Sequence, residues 1–268
     1  MKPQLLLLTN SYNTRSDEDL FLANYLKDFF CVTVAHPLEA IQYEDDAAII
    51  LVRNIWPTAE IRPTLQKIFE RIQKKNIPLY NPLGGAGDMS SGKRYLATLW
   101  QQGYPVIPTI LQLSEIFKLP PCDFYIAKPL LGESSRGVQK ISKEKILNYD
   151  ISNKIIQPFI DFKYELSFYF LDGVFQHALV SGGPKKRWYM KQYEPTSAEC
   201  VIAQQFIDWN HLPYGLQRID FGATMQDKML LMEIEDWCPQ LSLSDMDKTA
   251  RDSFLRNLVQ SLRNLIGT

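Results

Sequence analysis

Residues 218–236, RIDFGATMQDKMLLMEIED, contain two apolar runs separated by the polar segment TMQDK. Apolar runs of strand length on both sides of a short polar segment predict an antiparallel β-hairpin. Because residues i and i+2 of a strand point to the same face, Glu233 and Glu235 share one face, and Met232 and Ile234 are expected on the other. A strand this apolar that ends in two carboxylates on one face needs a chemical reason.

The facing strand adds charges to the same surface. A two-residue turn at Gln226-Asp227 would pair Asp220 with Glu233 and Arg218 with Glu235. A bulge at Gly222 would shift this pairing but keep each i, i+2 pair on one face. Directly opposed like charges destabilise a strand pair by up to about 1 kcal/mol at an exposed site, so three carboxylates require a cation beyond Arg218. Carboxylate oxygens are the ligands that Mg²⁺ and Mn²⁺ prefer. A solvated acidic face without metal is the alternative that the three acids alone leave open.

Composition and charge limit the class of protein. The chain has 268 residues, is 46% hydrophobic and carries a formal net charge of −1, which suits a packed protein without the basic field that attracts nucleic acid or anionic lipid. The four cysteines are widely spaced with no CxxC pair, which argues against a zinc site or a disulfide framework. No apolar run approaches the roughly 20 residues of a membrane span, and the N-terminal LLLL is too short for a signal-peptide core. We therefore expect a cytoplasmic protein with neither nucleic-acid nor membrane partners.

Two patterns of secondary structure divide the chain. Residues 1–88 contain strand and helix patterns in the order strand–helix–strand–strand–helix–strand, which predicts a parallel α/β sheet. The second of these helices has Leu65, Ile68, Phe69 and Ile72 on one stripe. Later strands occur in hairpins, one of them with the favoured turn dipeptide DG, which predicts antiparallel sheets. The expected fold class is α/β (α+β), with a parallel N-terminal part followed by antiparallel parts.

Two lysines lie beside glycine-rich segments. In LGGAGDMSSGK the glycine- and serine-rich part is expected to be a mobile connection, and Lys93 follows it near the start of a helix, where the backbone dipoles favour an anion. Lys128 ends an apolar strand just before the turn LGESSRG, which contains Ser134 and Ser135. A lysine beside accessible backbone amides suits a polyphosphate, although no GK[ST] follows these glycines. For each lysine alone, a solvated position on the surface is the alternative.

An extended segment, IIQPFIDFKYEL at residues 155–166, separates these features from the acidic hairpin. Backbone groups from Gln157 to Ile160 are suited to hydrogen bonds with an adenine edge, and Glu165 is suited to accept them from ribose hydroxyls. An interdomain strand with a charged end is the alternative. The basic sequence KKR at 185–187 follows the next hairpin and belongs either to an acceptor pocket or to a solvated loop.

The order of these parts along residues 88–245 resembles that of the ATP-grasp superfamily. The parts are the helix lysine, GYPVIPT, the strand lysine with its glycine turn, the apolar linker with its glutamate, RID, and MEIE followed by a proline. No single motif is specific, but their order along the chain is. The chain looks most similar to the branch with glutathione synthetase, the ligases that add glutamate to ribosomal or carrier proteins, and the cycloserine-forming enzyme.

The resemblance implies a role for each matching residue. The ATP-binding residues would be Lys93, Lys128, Ser134, Ser135, Gln157, Phe159, Ile160 and Glu165; the catalytic residues Lys128 and Arg218; the metal ligands Asp220, Glu233 and Glu235; and the substrate-binding residues Lys185, Lys186 and Arg187. Two positions depart from the common pattern, because Gln157 stands where many members have glutamate and Glu235 where many have asparagine. The glycine turn is also sparser than usual.

The resemblance also implies domains and a reaction. The expected domains are an α/β lead-in domain (1–88), a central lid subdomain (89–160) and a catalytic subdomain (161–268). In this family ATP phosphorylates a carboxylate, and an amine then displaces phosphate to form an amide. The implied cofactors are ATP and two Mg²⁺ or Mn²⁺ ions, and the partners are small-molecule carboxylate and amine substrates, with a homodimer allowed. A kinase on the same fold and a non-catalytic nucleotide-binding module are the alternatives, and the three histidines are expected to be structural or surface residues.

Overall fold

The computed structural model describes residues 1–10, 17–55, 62–132, 135–182 and 189–268. The strands in these ranges are β1 (Gln4–Leu8), β2 (Cys31–Ala35), β3 (Ile49–Val52), β4 (Leu79–Tyr80), β5 (Phe124–Pro129), β6 (Gln139–Ser142), β7 (Lys154–Pro158), β8 (Tyr164–Leu171), β9 (Val174–Ser181), β10 (Met190–Tyr193), β11 (Leu216–Ala223) and β12 (Met229–Glu235). The α-helices are α1 (Asp17–Leu26), α2 (Arg62–Lys74), α3 (Asp88–Ser91), α4 (Tyr95–Gln101), α5 (Lys143–Ile146), α6 (Ser197–Asn210) and α7 (Lys248–Leu265). None of the helices described is both long enough and apolar enough to cross a membrane.

The first sheet is parallel, with the strand order β2-β1-β3-β4. Its central strands β1 and β3 are apolar along nearly their whole length because α1 and α7 cover one face and α2 covers the other; continuous apolar runs are the signature of such strands. α2 buries Leu65, Ile68, Phe69 and Ile72, the predicted stripe. The parallel N-terminal sheet is therefore confirmed.

The other two sheets are antiparallel, with the orders β10-β9-β8-β11-β12 and β6-β5-β7. β8 and β9 turn at Asp172-Gly173, where both residues have positive φ (52° and 76°), as a tight primed turn requires. β5 and β6 pair around the glycine-containing turn. The predicted hairpins, and with them the mixed fold class, are confirmed.

The two faces of the five-stranded sheet contact different parts of the chain. One face packs against α4 and α6 through aromatic residues such as Phe168, Phe206 and Phe221. The other face packs at one end against α1, α7 and the first sheet, through Tyr169 and Leu179. The rest of this second face carries polar side chains, which form one wall of a cavity whose opposite wall includes β5.

The chain crosses between the two antiparallel sheets within a few residues. Val106 forms a β-bridge with Leu231 of β12, and Ile110 forms one with Ile156 of β7. α4, just before this crossing, packs on the five-stranded sheet. The domain limits after residues 88 and 160 stay a prediction.

The glycine-rich segment before Lys93 is held in place, and the expectation of a mobile connection is wrong. The N–H groups of Ala86 and Gly87 donate to Asn210 Oδ1 at 2.5 and 2.9 Å, and those of Gly87 and Met89 donate to the Asp236 carboxylate at 3.0 and 3.1 Å. A Cβ on Gly87 would lie 2.8 Å from Asp236 Oδ2. Glycine is needed there for close packing on a buried acid, rather than for freedom of movement.

A buried arginine joins the first sheet to the segment after β12. Arg53 is 1% exposed and donates to Glu18, to Asp19 and to the carbonyl of Pro239 at 2.9, 3.2 and 2.7 Å. Buried charges of this kind are stable only when they are paired and fully hydrogen-bonded. The cluster therefore fixes the position of the chain immediately beyond the acidic strand.

Candidate active site

The charged residues of β11 and β12 pair as the sequence predicts, but the loop between the strands differs from the predicted turn. Arg218 faces Glu235, and Asp220 faces Glu233, which confirms the predicted partners. The loop, residues 224–228, is longer than the predicted two-residue turn, so the pairing near the turn is displaced by one residue. A bulge farther along the strands displaces it back.

The bulge changes which side chains share the acidic face. Phe221 pairs with Leu231 and Asp220 pairs with Glu233, so Met232 has no partner of its own across the strands. Met232 lines the same cavity as Glu233. The prediction that Met232 faces away from the acids is therefore wrong, because a bulge interrupts the alternation of side chains.

A cavity of about 240 Å³ lies over this acidic face. The predicted site residues that line it are Lys93, Lys128, Ser135, Glu165, Arg218, Asp220, Glu233 and Glu235. Four further predicted residues, Ser134, Lys185, Lys186 and Arg187, lie outside the described residues. The fold thus gathers residues that are more than 140 positions apart in the sequence.

Arg218 holds two of the acids at once. Its Nε and Nη2 donate to the two carboxylate oxygens of Asp220 at 2.9 Å each, and Nη2 also donates to Glu235 Oε1 at 2.6 Å. Ser167, the residue opposite Asp220 on β8, donates to Asp220 Oδ1 at 2.7 Å. Burial opposes the charge of Arg218, but Asp220 and Glu235 outweigh it and raise its pKa. The guanidinium is therefore a permanent, oriented cation on the cavity wall.

Lys93 holds the third acid. Its Nζ lies 2.5 Å from Glu233 Oε1 and 2.8 Å from Asp88 Oδ2. Burial alone would raise the pKa of Glu233, but the Lys93 ammonium outweighs it and lowers this pKa to about 2, with a smaller contribution from Lys128. Burial raises the pKa of Asp88, which has the Glu233 carboxylate as a neighbour. Lys93 thus neutralises Glu233 in the metal-free site.

The third sheet supplies Lys128. It lies on β5, opposite Ile155 of the paired strand β7, and its side chain lines the cavity together with the turn residues Gly132 and Ser135. Ser135 has a positive φ of 59°. The lysine and the backbone of this turn therefore face the acidic hairpin across the cavity, an arrangement suited to an anion between them.

The donor set of the acidic face fits a hard cation. Ligand oxygens of Asp220, Glu233 and Glu235 lie within 4.8 Å of one another. Glu235 Oε2 is buried and has no hydrogen-bond partner among the described residues. Burial raises the pKa of Glu235 to about 8; Arg218 opposes this, while the nearby carboxylates of Asp220 and Glu233 reinforce it. An all-oxygen set with one orphaned oxygen suits Mg²⁺ or Mn²⁺.

Solved structures share this architecture over almost their whole length. No protein-family model and no curated protein matches the chain. The D-cycloserine synthetase DcsG superposes with a TM-score of 0.78 at 20% identity, over 97% of this chain and 99% of that one. A D-alanine–D-alanine ligase from Bacillus anthracis complexed with ATP gives 0.68 at 14% identity over 98% of each chain. The ATP-grasp ligase PsnB, complexed with minimal precursor, Mg and ADP, gives 0.64 at 12% over 98% of each.

The chain has the ATP-grasp fold. The predicted resemblance is therefore confirmed at the level of the fold, and the fold class with it. In this fold the cavity lies between the two antiparallel sheets, where β5 and its glycine turn face the β11–β12 hairpin.

Three residues predicted to bind adenine are not among those that line the cavity. Gln157 is 1% exposed and its side-chain amide donates to Thr109 Oγ1 at 2.9 Å. The N–H of Phe159 donates to the carbonyl of Phe124 at 2.8 Å. Ile160 follows the end of β7 and is half-buried. An adenine role for Gln157, Phe159 and Ile160 stays a prediction.

Several residues of the site were not predicted from the sequence. Asp88 pairs with Lys93, Ser167 orients Asp220, and the Tyr95 hydroxyl accepts a hydrogen bond at 2.6 Å from the backbone of β12 between the two glutamates. Arg136 lines the cavity beside the glycine turn. Of these, only Asp88 has a sequence signal, as the one acid in a glycine- and serine-rich segment that ends at a lysine.

Proposed function

We propose that this chain is an ATP-dependent ligase that joins a carboxylate to an amine through an acyl phosphate and releases ADP and phosphate. The observation that best supports this is the placement of Arg218 on one wall with Asp220, Glu233 and Glu235, facing Lys128 across the cavity. No histidine or cysteine lines the described part of this cavity. Phosphoryl and acyl transfer of this kind need positioning and fixed charge rather than an enzyme nucleophile.

Asp220, Glu233 and Glu235 are the residues that would hold Mg²⁺. When bound, the ion would neutralise charge on phosphate oxygens. For Glu233 to act as a ligand it must give up its ion pair with Lys93. The freed ammonium of Lys93 would then pair with phosphate, on the same side of the site as Asp88.

Arg218 and Lys128 would stabilise negative charge that develops during the reaction. Arg218 has a fixed orientation through Asp220 and Glu235. Its Nη1 group, which neither carboxylate occupies, would donate to the oxyanion of a tetrahedral intermediate without a reorganisation cost. Lys128, with Ser134 and Ser135, would bind the phosphates, and Glu165 the ribose. Within this proposal the domains are 1–88, 89–160 and 161–268, so that ATP lies between the last two.

The substrates proposed are small-molecule carboxylates and amines that resemble amino acids or peptides. The similar structures include a D-cycloserine synthetase, a D-alanine–D-alanine ligase and a ligase complexed with a precursor. Another structure of PsnB is complexed with a precursor peptide, so both small molecules and peptides belong in a substrate panel.

The proposal is tested by incubating the protein with Mg²⁺-ATP and a panel of carboxylates and amines. We expect ADP and phosphate to form only when both substrates are present, and hydroxylamine to trap the activated carboxylate as a hydroxamate. Release of AMP and pyrophosphate would refute the proposal, and a phosphorylated product that resists hydroxylamine would identify a kinase instead.

Arg218→Lys tests the site itself. Lysine keeps the charge but loses the fork that holds Asp220 and Glu235, so we expect ligation to fall about a hundredfold or more. The matched control is Arg256→Lys, at an exposed position on α7. Equal activity of both variants would show that Arg218 does not act in the reaction.

A further inference from the structure

One wall of the cavity has no role in the chemistry proposed above. It is formed by Ser181, Met190, Ser242 and Asp245. Ser181 at the end of β9 pairs with Met190 of β10, and the Ser242 hydroxyl lies 3.6 Å from Met190 Sδ. These residues therefore form one continuous surface, which we call the distal wall.

The distal wall is held rigidly from two sides. Glu18 accepts hydrogen bonds at 2.8 and 3.1 Å from the backbone N–H groups on either side of Ser242, and Arg53 holds Glu18 in turn at 2.9 Å. The Tyr169 hydroxyl donates to Ser242 Oγ at 3.2 Å. A 3-10 turn then presents Asp245 to the cavity. Preorganisation of this kind is what a recognition site needs.

Two polar groups on the distal wall lack partners among the described residues. The Ser181 hydroxyl is buried, with the residue 2% exposed, and makes no hydrogen bond there. The carboxylate of Asp245 has no ion pair there, since the neighbouring Arg251 donates to the Leu243 carbonyl and lies over the Phe21 ring. Native proteins rarely leave a buried polar group such as the Ser181 hydroxyl unsatisfied unless water or a ligand completes it.

We propose that the distal wall binds a primary ammonium group of a substrate, with Asp245 and Ser181 as its acceptors. A carboxylate and a hydroxyl oxygen both accept hydrogen bonds from an ammonium, and the negative charge of Asp245 repels a second carboxylate. The binding step breaks and forms no covalent bond. The inference rests on the proposed function only in that the ammonium would belong to the amine substrate.

The test uses glycinamide as a minimal ammonium probe and propionamide, which carries a methyl group in place of the ammonium, as its neutral match. Binding to the full chain is measured at pH 7 by saturation-transfer NMR, with and without Mg²⁺-ATP. We expect glycinamide to bind and propionamide to bind at least tenfold more weakly. Asp245→Asn should weaken glycinamide binding at least tenfold, because a charge-assisted hydrogen bond is lost.

Two further variants make the result decisive. Asp28→Asn removes an exposed carboxylate outside the cavity and should leave glycinamide binding unchanged. Ser181→Ala removes the second acceptor and should weaken binding several-fold, which keeps the inference testable if Asp245→Asn does not fold. Equal binding of the two probes to wild type, or glycinamide binding unchanged in Asp245→Asn and Ser181→Ala, would overturn the inference.

Hydroxamate formation, which needs no amine substrate, tests the proposed function separately. Hydroxamate with no effect of Asp245→Asn on glycinamide would refute the ammonium site and leave the ligase standing. Binding of glycinamide that depends on Asp245, without hydroxamate from any carboxylate, would support the ammonium site and count against the ligase.

Discussion

Glu235 should make the metal-free protein lose stability as the pH rises. Its pKa is raised by burial from an ordinary value of 4.5 to about 8, so the folded state keeps a proton that the unfolded state releases above pH 4.5. The stability that this proton gives is complete below pH 4.5 and is lost as the pH rises to about 8. The change is about 1.4 kcal/mol per pH unit, or about 5 kcal/mol over the whole interval.

The assay is chemical denaturation in EDTA at pH 5, 6, 7 and 8, on wild type and on Glu235→Gln. Glutamine copies the protonated acid, so the variant should become more stable than wild type by an amount that grows with pH. Glu233→Gln is the matched control on the same strand. The pKa of Glu233 is lowered to about 2, so its stabilising contribution is present above pH 4.5 and is lost only as the pH falls towards 2.

Glu233→Gln should therefore destabilise the metal-free protein by an amount that does not change between pH 5 and pH 8, because it breaks the ion pair with Lys93. Mg²⁺ replaces a proton in such a site. Saturating Mg²⁺ should therefore reduce the pH dependence of the stability of wild type and leave the pH dependence of Glu235→Gln unchanged. A stability difference between wild type and Glu235→Gln that stays constant from pH 5 to pH 8 would refute the reasoning.

Three further variants test the fold that positions the site. Burial lowers the pKa of His177 to about 4, so wild type should lose up to about 1.4 kcal/mol per pH unit as the pH falls from 6.5 to 4, a loss that denaturation of His177→Phe should not show. Gly87→Ala should lower the melting temperature and ATP affinity together, because its Cβ would crowd Asp236; an unchanged melting temperature would contradict the packing. Arg53→Met should cost about 3–5 kcal/mol in urea denaturation, since it leaves Glu18 and Asp19 buried without their cation; a cost below about 1 kcal/mol would contradict this.

Much of the fold could be predicted from local patterns. The helix stripe, the DG turn and the apolar strands are each specified by neighbours in the sequence, and the structure confirms them. The pairing of Asp220 with Glu233 was also predicted, although two deviations from the assumed hairpin cancel each other. A longer loop displaces the strands by one residue and the bulge at Met232 displaces them back, so the correct partners follow from an incomplete description.

The rest of the site depends on contacts that no local pattern reports. Asp88 meets Lys93 and Glu233 only because Asp236, 149 positions beyond Gly87 in the sequence, accepts hydrogen bonds from the glycine-rich segment. Gln157 lies in the segment predicted to be an extended linker. Its buried side-chain amide donates to Thr109, a residue 48 positions away that no local pattern connects to it.

The same contacts explain how so many acids are tolerated in one cavity before substrates bind. Lys93 neutralises Glu233, Arg218 neutralises Asp220, and the raised pKa of Glu235 keeps that carboxyl protonated at neutral pH. In the proposed function, Mg²⁺ would bind the carboxylates and the ATP phosphates would pair with Lys93. Binding of Mg²⁺ alone, or of ATP alone, would leave a buried charge without its partner, which costs free energy. When both bind, each charged side chain gains a new partner and that cost is avoided. Nucleotide and metal should therefore bind with strong positive coupling, and the crowding of acids on the strand that ends in EIE is what makes one binding event depend on the other.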